Sequence, residues 1–427
     1  MASDAPAPSV SATPILDSAT FPAHSGRKKL RTKLKGIIVG VIVGALFGIV
    51  LIRTDEQSTG EAAADYMILF YFAAILLAVV IHEIGHLLAG WAVGFRFSSV
   101  SIGPVSLKRV YGKLKVETRK TLAGAAGLAG MHVAGVRRLH RRLLIFIAGG
   151  PAANLLSIPV TIVLVDYVFH ASENVWVSIP AHLFIWISLI IGILNLVPFS
   201  VGALFTDGAR IDMLVRSRVR GRRWMNIAAI LDQTHEGVRP RQWKRTWVEA
   251  ATSVQDRSVD DFRGSLLAYA AASDRKDTPS AARHLERCLE LAESVASSSN
   301  DVLALEAAVF VSWCRKDVET AQKWLDHVKK VEAAPKLSRI RADIAIHCAR
   351  AEFDAALTGW QEGLAFIEKL PVVPAQEGLK EGWLQWHAEI LQRRSGEVAA
   401  PSPASSCPGD ARQAPLSTTS AAVSPLP

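Results

Sequence analysis

Residues 82 to 86 read HEIGH, two histidines and a glutamate inside an otherwise apolar run. Ionisable groups are costly in such a setting, so their presence calls for a reason. At roughly 100° per residue, His82 and His86 fall on one face of a helix about one turn apart. Two imidazoles so placed can share one tetrahedral metal ion. Glu83, beside the first ligand, can then act as a base toward a water on that ion. Neutral imidazoles bound to a cation are cheaper to bury than free charges. A catalytic zinc normally takes three protein ligands, so a third is expected elsewhere. Asp207, in the TDG turn of NLVPFSVGALFTDGARI (195–211), is the leading candidate, with Asp212 and His182 as weaker ones. The run AGGPAANLL (148–156) adds a glycine pair and Asn154, a pattern that predicts close helix contact and a polar group aimed inward.

The elements that must carry these residues are apolar spans. Half of the 427 residues are apolar, and they crowd into residues 36–198. Four spans are expected, at about 36–52, 65–94, 143–169 and 176–199. The first follows the basic stretch RKKLRTKLK (27–35) and reads as an uncleaved anchor rather than a signal peptide. Between the second and third spans, residues 95–120 alternate apolar and polar around GP and YGK turns, which predicts β-hairpins. Residues 123–135 read as a small, flexible segment.

Lysine and arginine gather before the first span, in 95–142 and in 210–223, and are sparse in 53–66 and 170–175. The positive-inside rule then puts both termini, the 95–142 linker and the C-terminal half in the cytoplasm. His82, His86 and Asp207 all fall toward that same side. The net charge of +9 is explained by this membrane orientation, and no nucleic-acid partner is inferred. The lipid bilayer is the expected partner of the spans. His132 and His140, in the basic linker, read as lipid-facing or solvated.

The fold class expected is mainly α: a polytopic membrane helical bundle followed by a cytoplasmic α-helical repeat-like domain. The domain limits are a disordered basic tail (1–35), a membrane domain (36–223), a helical domain (224–394) and a disordered tail (395–427). The helical region carries a faint repeat, RKDTPSA (275–281) against RKDVETA (315–321) and then CARAEFDA (348–355). Its spacing suits tetratricopeptide-like helix pairs able to bind a cytoplasmic protein. Trp313, Trp324, Trp360, Trp383 and Trp386 read as core. Cys288, Cys314, Cys348 and Cys407 form no CxxC pair, which suits a reducing compartment.

HEIGH, GGPAAN and NLVP followed by DG, in that order on three spans, resemble the site-2 protease family of intramembrane zinc metalloproteases. The resemblance covers about residues 65–215. It implies Zn²⁺ held by His82, His86 and Asp207, with Glu83 activating water. It implies that Asn154 orients the substrate backbone or stabilises the oxyanion, and that Asn195 supports the Asp207 turn. Eight residues separate Pro198 from Asp207, more than the family's usual spacing. The implied activity is hydrolysis of membrane-anchored proteins near the cytoplasmic face of a cell membrane, in bacterial regulated proteolysis. The competing reading is a non-catalytic membrane scaffold that recruits a cytoplasmic partner through residues 224–394. An intact Glu83 favours the first, because a purely structural metal site needs no base.

Overall fold

The computed structural model describes residues 14–22, 66–110, 112–118, 127–168, 174–201, 204–292, 297–328 and 334–396. The span expected at 36–52, the basic stretch before it and nearly all of the C-terminal tail lie outside these residues. The described chain is mainly helical. Among the described residues three helices are long and apolar enough to cross a membrane, which suggests a membrane protein. They are α2 (Met67–Ala92), α3 (Leu139–Val163, continued by a wider turn to Val168) and α4 (Val175–Leu196). The 26 residues of α2 rise about 39 Å, more than the roughly 30 Å of a hydrocarbon core.

All three helices pack against one another. Ala74 and Ala78 of α2 meet Ile179, Leu183, Phe184 and Ile187 of α4 in one buried cluster. The outer faces carry exposed Leu69, Phe72, Leu76, Leu88, Leu156 and Trp186. An exterior of that kind suits lipid better than water.

The linker forms a four-stranded antiparallel sheet of order β3-β2-β1-β4. Its strands are β1 (Arg96–Ile102), β2 (Val105–Val110), β3 (Lys113–Thr118) and β4 (Gly127–His132). The two expected hairpins are present, with Gly103 and Gly112 at φ of 53° and 78° in the two-residue turns. Residues 127–132 differ from expectation. They are not a loose segment but an edge strand paired with β1. Small residues allow this: side chains larger than hydrogen at Gly127 or Gly130 would strike Glu83 or Ser99.

His132 also departs from expectation. Its ring lies against that of His235, with centroids 3.4 Å apart. Burial first, and His235 second, push the His132 imidazole down to about 4. His140 is exposed, as expected, and its ring nitrogen also lies 3.1 Å from the Leu214 carbonyl.

Beyond the spans, α5 (Asp207–Arg216) and α6 (Arg218–His235) lead into the helical region. Helix α6 carries side chains of two cores. Trp224 and Met225 pack toward Phe95 and Leu143, while Ile227 and Ile230 pack toward Trp243 and Val248. The region continues as α7 (Arg245–Ala251), α8 (Val259–Asp274), α9 (Thr278–Glu290), α10 (Ser297–Phe310), α11 (Val318–Leu325), α12 (Lys336–Ala349), α13 (Phe353–Glu368) and α14 (Pro374–Arg394).

Neighbouring helices are joined by three like turns. Lys276, Lys316 and Ala351 each sit in the left-handed region, at φ of 62°, 58° and 61°. Asp277 and Asp317 then cap the next helix by accepting from the Ser280 and Thr320 amides. The turns align Lys316 with Ala351, one residue beyond the alignment drawn from the sequence. The five tryptophans pack as expected, and the indoles of Trp360 and Trp383 each donate to the other's carbonyl. Cys288, Cys314 and Cys348 are free thiols.

The tail assigned to residues 1–35 is not uniformly disordered. Residues 14–22 hold a short helical turn, α1 (Ile15–Ser18), packed on the helical region. Leu16 drives this, since an isolated aliphatic side chain gains by entering an existing core.

Two outcomes are expected. Ala351→Gly removes the left-handed penalty of a Cβ and stabilises the chain by roughly 1 kcal/mol, read as a raised thermal midpoint of the full-length protein in detergent. The neutral His132 contributes stability that is full above the unfolded value near 6.5. That contribution is lost as pH falls toward about 4. The protection of the β4 amides, taken relative to their intrinsic exchange rate at each pH, will therefore fall across that window, and His132→Gln will flatten the response.

Candidate metal centre

Helix α2 presents His82, Glu83 and His86 as buried groups, each under one-tenth exposed. The two imidazoles lie one above the other, with Nε2 atoms 3.2 Å apart. Asp207 Oδ2 stands 3.1 Å from His82 Nε2 and 3.4 Å from His86 Nε2. A tetrahedral ion with bonds near 2.0–2.1 Å holds its ligand atoms about 3.3 Å apart. Three observed separations on that value are the edges of one face of such a tetrahedron. The His86 Nδ1–H donates to the Phe146 carbonyl at 2.9 Å, which leaves Nε2 as the lone-pair nitrogen facing the other two groups. The donor set and geometry are those of a group that could hold a metal ion. Among the described residues no other group of three or more such side chains converges in this way.

Asp207 reaches the site by a route that the sequence spacing hides. Strands β5 (Ser200–Val201) and β6 (Leu204–Phe205) form a small hairpin after Pro198. Its pairing brings Thr206 back beside Phe199. Phe199 and Thr206 bond to each other, and the Thr206 hydroxyl also donates to the Val197 carbonyl at 2.7 Å. Thr206 then caps α5 by accepting from the Ala209 amide, so the TDG turn is a helix start. Gly208 lies against the Leu196 carbonyl so closely that no Cβ would fit. Asn195 does not support this turn; its amide bonds back to the Ile191 carbonyl. Thr206 and Gly208 do that work.

A further brace comes from the helical region. Arg210, one turn beyond Asp207, donates to Asp260 of α8 at 2.5 Å, and Asp260 is 1% exposed. The guanidinium also stacks over Phe205 at 4.2 Å. In the sequence Arg210 counted only as one basic residue among six. The partner fifty positions away carries no local signal.

Small residues let α3 press against the site. A Cβ at Gly150 would lie 2.7 Å from His82 Nε2 and closer still to His86. Gly85 and Gly149 meet backbone to backbone, with Ala89 and Ala153 beside them. Asn154, one turn from Gly150, is fully buried, and neither side-chain atom has a partner among the described residues. Leaving such an amide unpaired costs about 1–3 kcal/mol. Ser188 of α4 is in the same condition and went unnoticed in the sequence, where one serine in an apolar span carries no mark. Glu83 rests under β4, its carboxylate against Gly127 and the Ala129 amide, with Oε2 unpartnered.

The weaker ligand candidates lie elsewhere. Asp212 pairs with Arg216 at 3.2 Å, and His182 donates to the Ser178 carbonyl within α4. The chain matches no protein-family model, no curated protein and no solved structure.

Gly150→Ala is expected to force the imidazoles apart, at an overpacking cost of about 1–3 kcal/mol. Purified protein will hold substoichiometric metal by elemental analysis while keeping its helical content. His86→Ala and Asp207→Ala will lose metal more completely.

Proposed function

We propose that this chain is a zinc-dependent intramembrane endopeptidase, similar to the site-2 protease family, acting on membrane-anchored proteins near the cytoplasmic face. The observation that carries the reading is the convergence of His82, His86 and Asp207 with Glu83 beside them, among three helices of membrane length. The charge pattern of the sequence supports placing both termini and the metal centre toward the cytoplasm.

When bound, zinc supplies a Lewis acid that polarises a scissile carbonyl and acidifies water. Glu83 accepts the proton at its unpartnered Oε2 and delivers it to the leaving nitrogen. Asn154 supplies a preorganised amide to orient the substrate backbone or to hold a developing oxyanion. Close packing around the histidines limits competing water.

Substrate must arrive as an extended strand, because a helix keeps its peptide bonds engaged. The free edge of β4 suits that task. Strand β4 tracks α2 from Gly127, over Glu83, to Met131, over Gly90. Its outer edge has no partner strand among the described residues. A peptide added there by main-chain pairing would bring a bond alongside Glu83.

The deciding comparison is wild type against Glu83→Gln in proteoliposomes with trapped membrane peptides. The expected result is retained zinc with cleavage reduced about 10²–10⁴-fold. Absence of cleavage by the wild type itself would instead favour the scaffold reading, in which the metal only holds helices together. Gly127→Val, which presses a branched side chain on the Glu83 carboxylate, is expected to cut cleavage strongly at unchanged zinc content.

A further inference from the structure

Residues 14–22, ahead of the membrane-length helices, are bound by the helical region as a ligand is bound. A helix of four residues has no stability of its own in water. The surface it rests on supplies the order. Leu16 and Ala19 are 0% and 3% exposed, inserted among Leu285, Leu289 and Trp324. The Trp324 indole donates to the Leu16 carbonyl at 3.1 Å, and His327 Nε2–H donates to the Ala19 carbonyl at 2.7 Å. These two bonds read backbone, so they do not depend on which side chains the segment carries. Three contacts read side chains. Leu16 fills the pocket, Arg315 pairs with Asp17, and Phe21 stands edge-on to Trp324 and His327 at 5.3 and 5.4 Å.

Several features mark the segment as an occupant rather than a part of the scaffold. Its partners lie 308 residues away in sequence. The helices beneath it also pack on one another, through Ala304, Ala308, Phe310 and Val311 in the cluster that Leu16 joins. Pro14 and Pro22 bracket it and restrict its unbound conformations, which lowers the entropy lost on docking. Ala19 takes a left-handed φ of 45°, unusual for a residue with a Cβ and imposed by the docked turn.

We propose that helices α9 to α11 form a receptor groove for short linear peptides, and that residues 14–22 fill it in cis. The recognised peptide presents an aliphatic residue followed at once by an acidic one, with an aromatic four positions after the acid. Because the occupant is tethered, its effective concentration is on the order of millimolar. A free peptide therefore competes poorly until the tail is released. The inference stands whether or not the chain cleaves peptides.

The test uses the full-length chain in detergent and a fluorescent synthetic peptide of residues 12–24. Leu16→Asp with Phe21→Ala releases the tail. The released chain is expected to bind the peptide about tenfold or more tighter than wild type. Adding Arg315→Glu to the released chain weakens binding roughly fivefold, and a peptide carrying Asp17→Arg regains it. The proposal is overturned if the released chain, with wild-type helical content and melting, binds no better than wild type. It is overturned equally if Arg315→Glu changes nothing. Hydrogen exchange on the unaltered chain covers the case in which the released chain misfolds. There, the amides of residues 16–21 are expected to be protected, and peptide added to well above ~1 mM is expected to expose them. Amides that are unprotected from the start, or protection indifferent to that excess, refute the groove.

Discussion

Everything at the metal centre follows from how closely α2 and α3 approach. Gly85 and Gly149 meet main chain to main chain, flanked by Ala89 and Ala153, and Gly150 lies flat against both imidazoles. In lipid, no hydrophobic force draws apolar helices together. Packing and polar contacts must do it, and small residues are what permit a near approach. This contact walls the histidines off on one side and brings the Phe146 carbonyl to His86 Nδ1, which selects the metal-facing nitrogen. A larger residue at any of these positions would open the wall that gives the two histidines their orientation.

The third candidate ligand obeys a different constraint. Asp207 lies outside the membrane-length helices, on the first residue of α5, and must be carried back to α2. The β5–β6 hairpin, the Thr206 cap and the flat Gly208 contact together hold it there. Arg210 extends the arrangement into the helical region through the buried Asp260. Breaking a buried pair of this kind leaves one charge uncompensated. The helical region is thus physically coupled to the element that bears the ligand, and is more than an appendage. On its other side the same region clasps residues 14–22, so both flanks of the membrane-length helices touch it.

The sheet has a matching position. Its edge strand β4 lies across α2 at Glu83, and Gly127 and Gly90 let the strand sit so low. That is why residues 123–135 read as loose in the sequence. Small side chains carry no alternation strong enough to announce a strand, and pairing with β1 supplies the order that propensity does not.

Local chemistry was legible from the chain alone. HEIGH places two imidazoles and a carboxylate on one helical turn whatever surrounds it, because 3.6 residues per turn is a property of the backbone. Membrane-length helices were legible too, since twenty apolar residues in a row have few other uses. The glycine pair ahead of Asn154 announced close contact, and that contact is present. What tertiary structure alone decided was everything joined across long separations. Examples are the return of Asp207 through a hairpin that cancels its spacing, Thr206 in place of Asn195 as its support, and Arg210 on Asp260. The burial of Ser188, the set of β4 over Glu83 and the docking of Leu16 beside Trp324 belong with them. Periodicity reports what a segment does with its own neighbours. A contact between residues a hundred positions apart leaves no trace in either segment until the chain has packed.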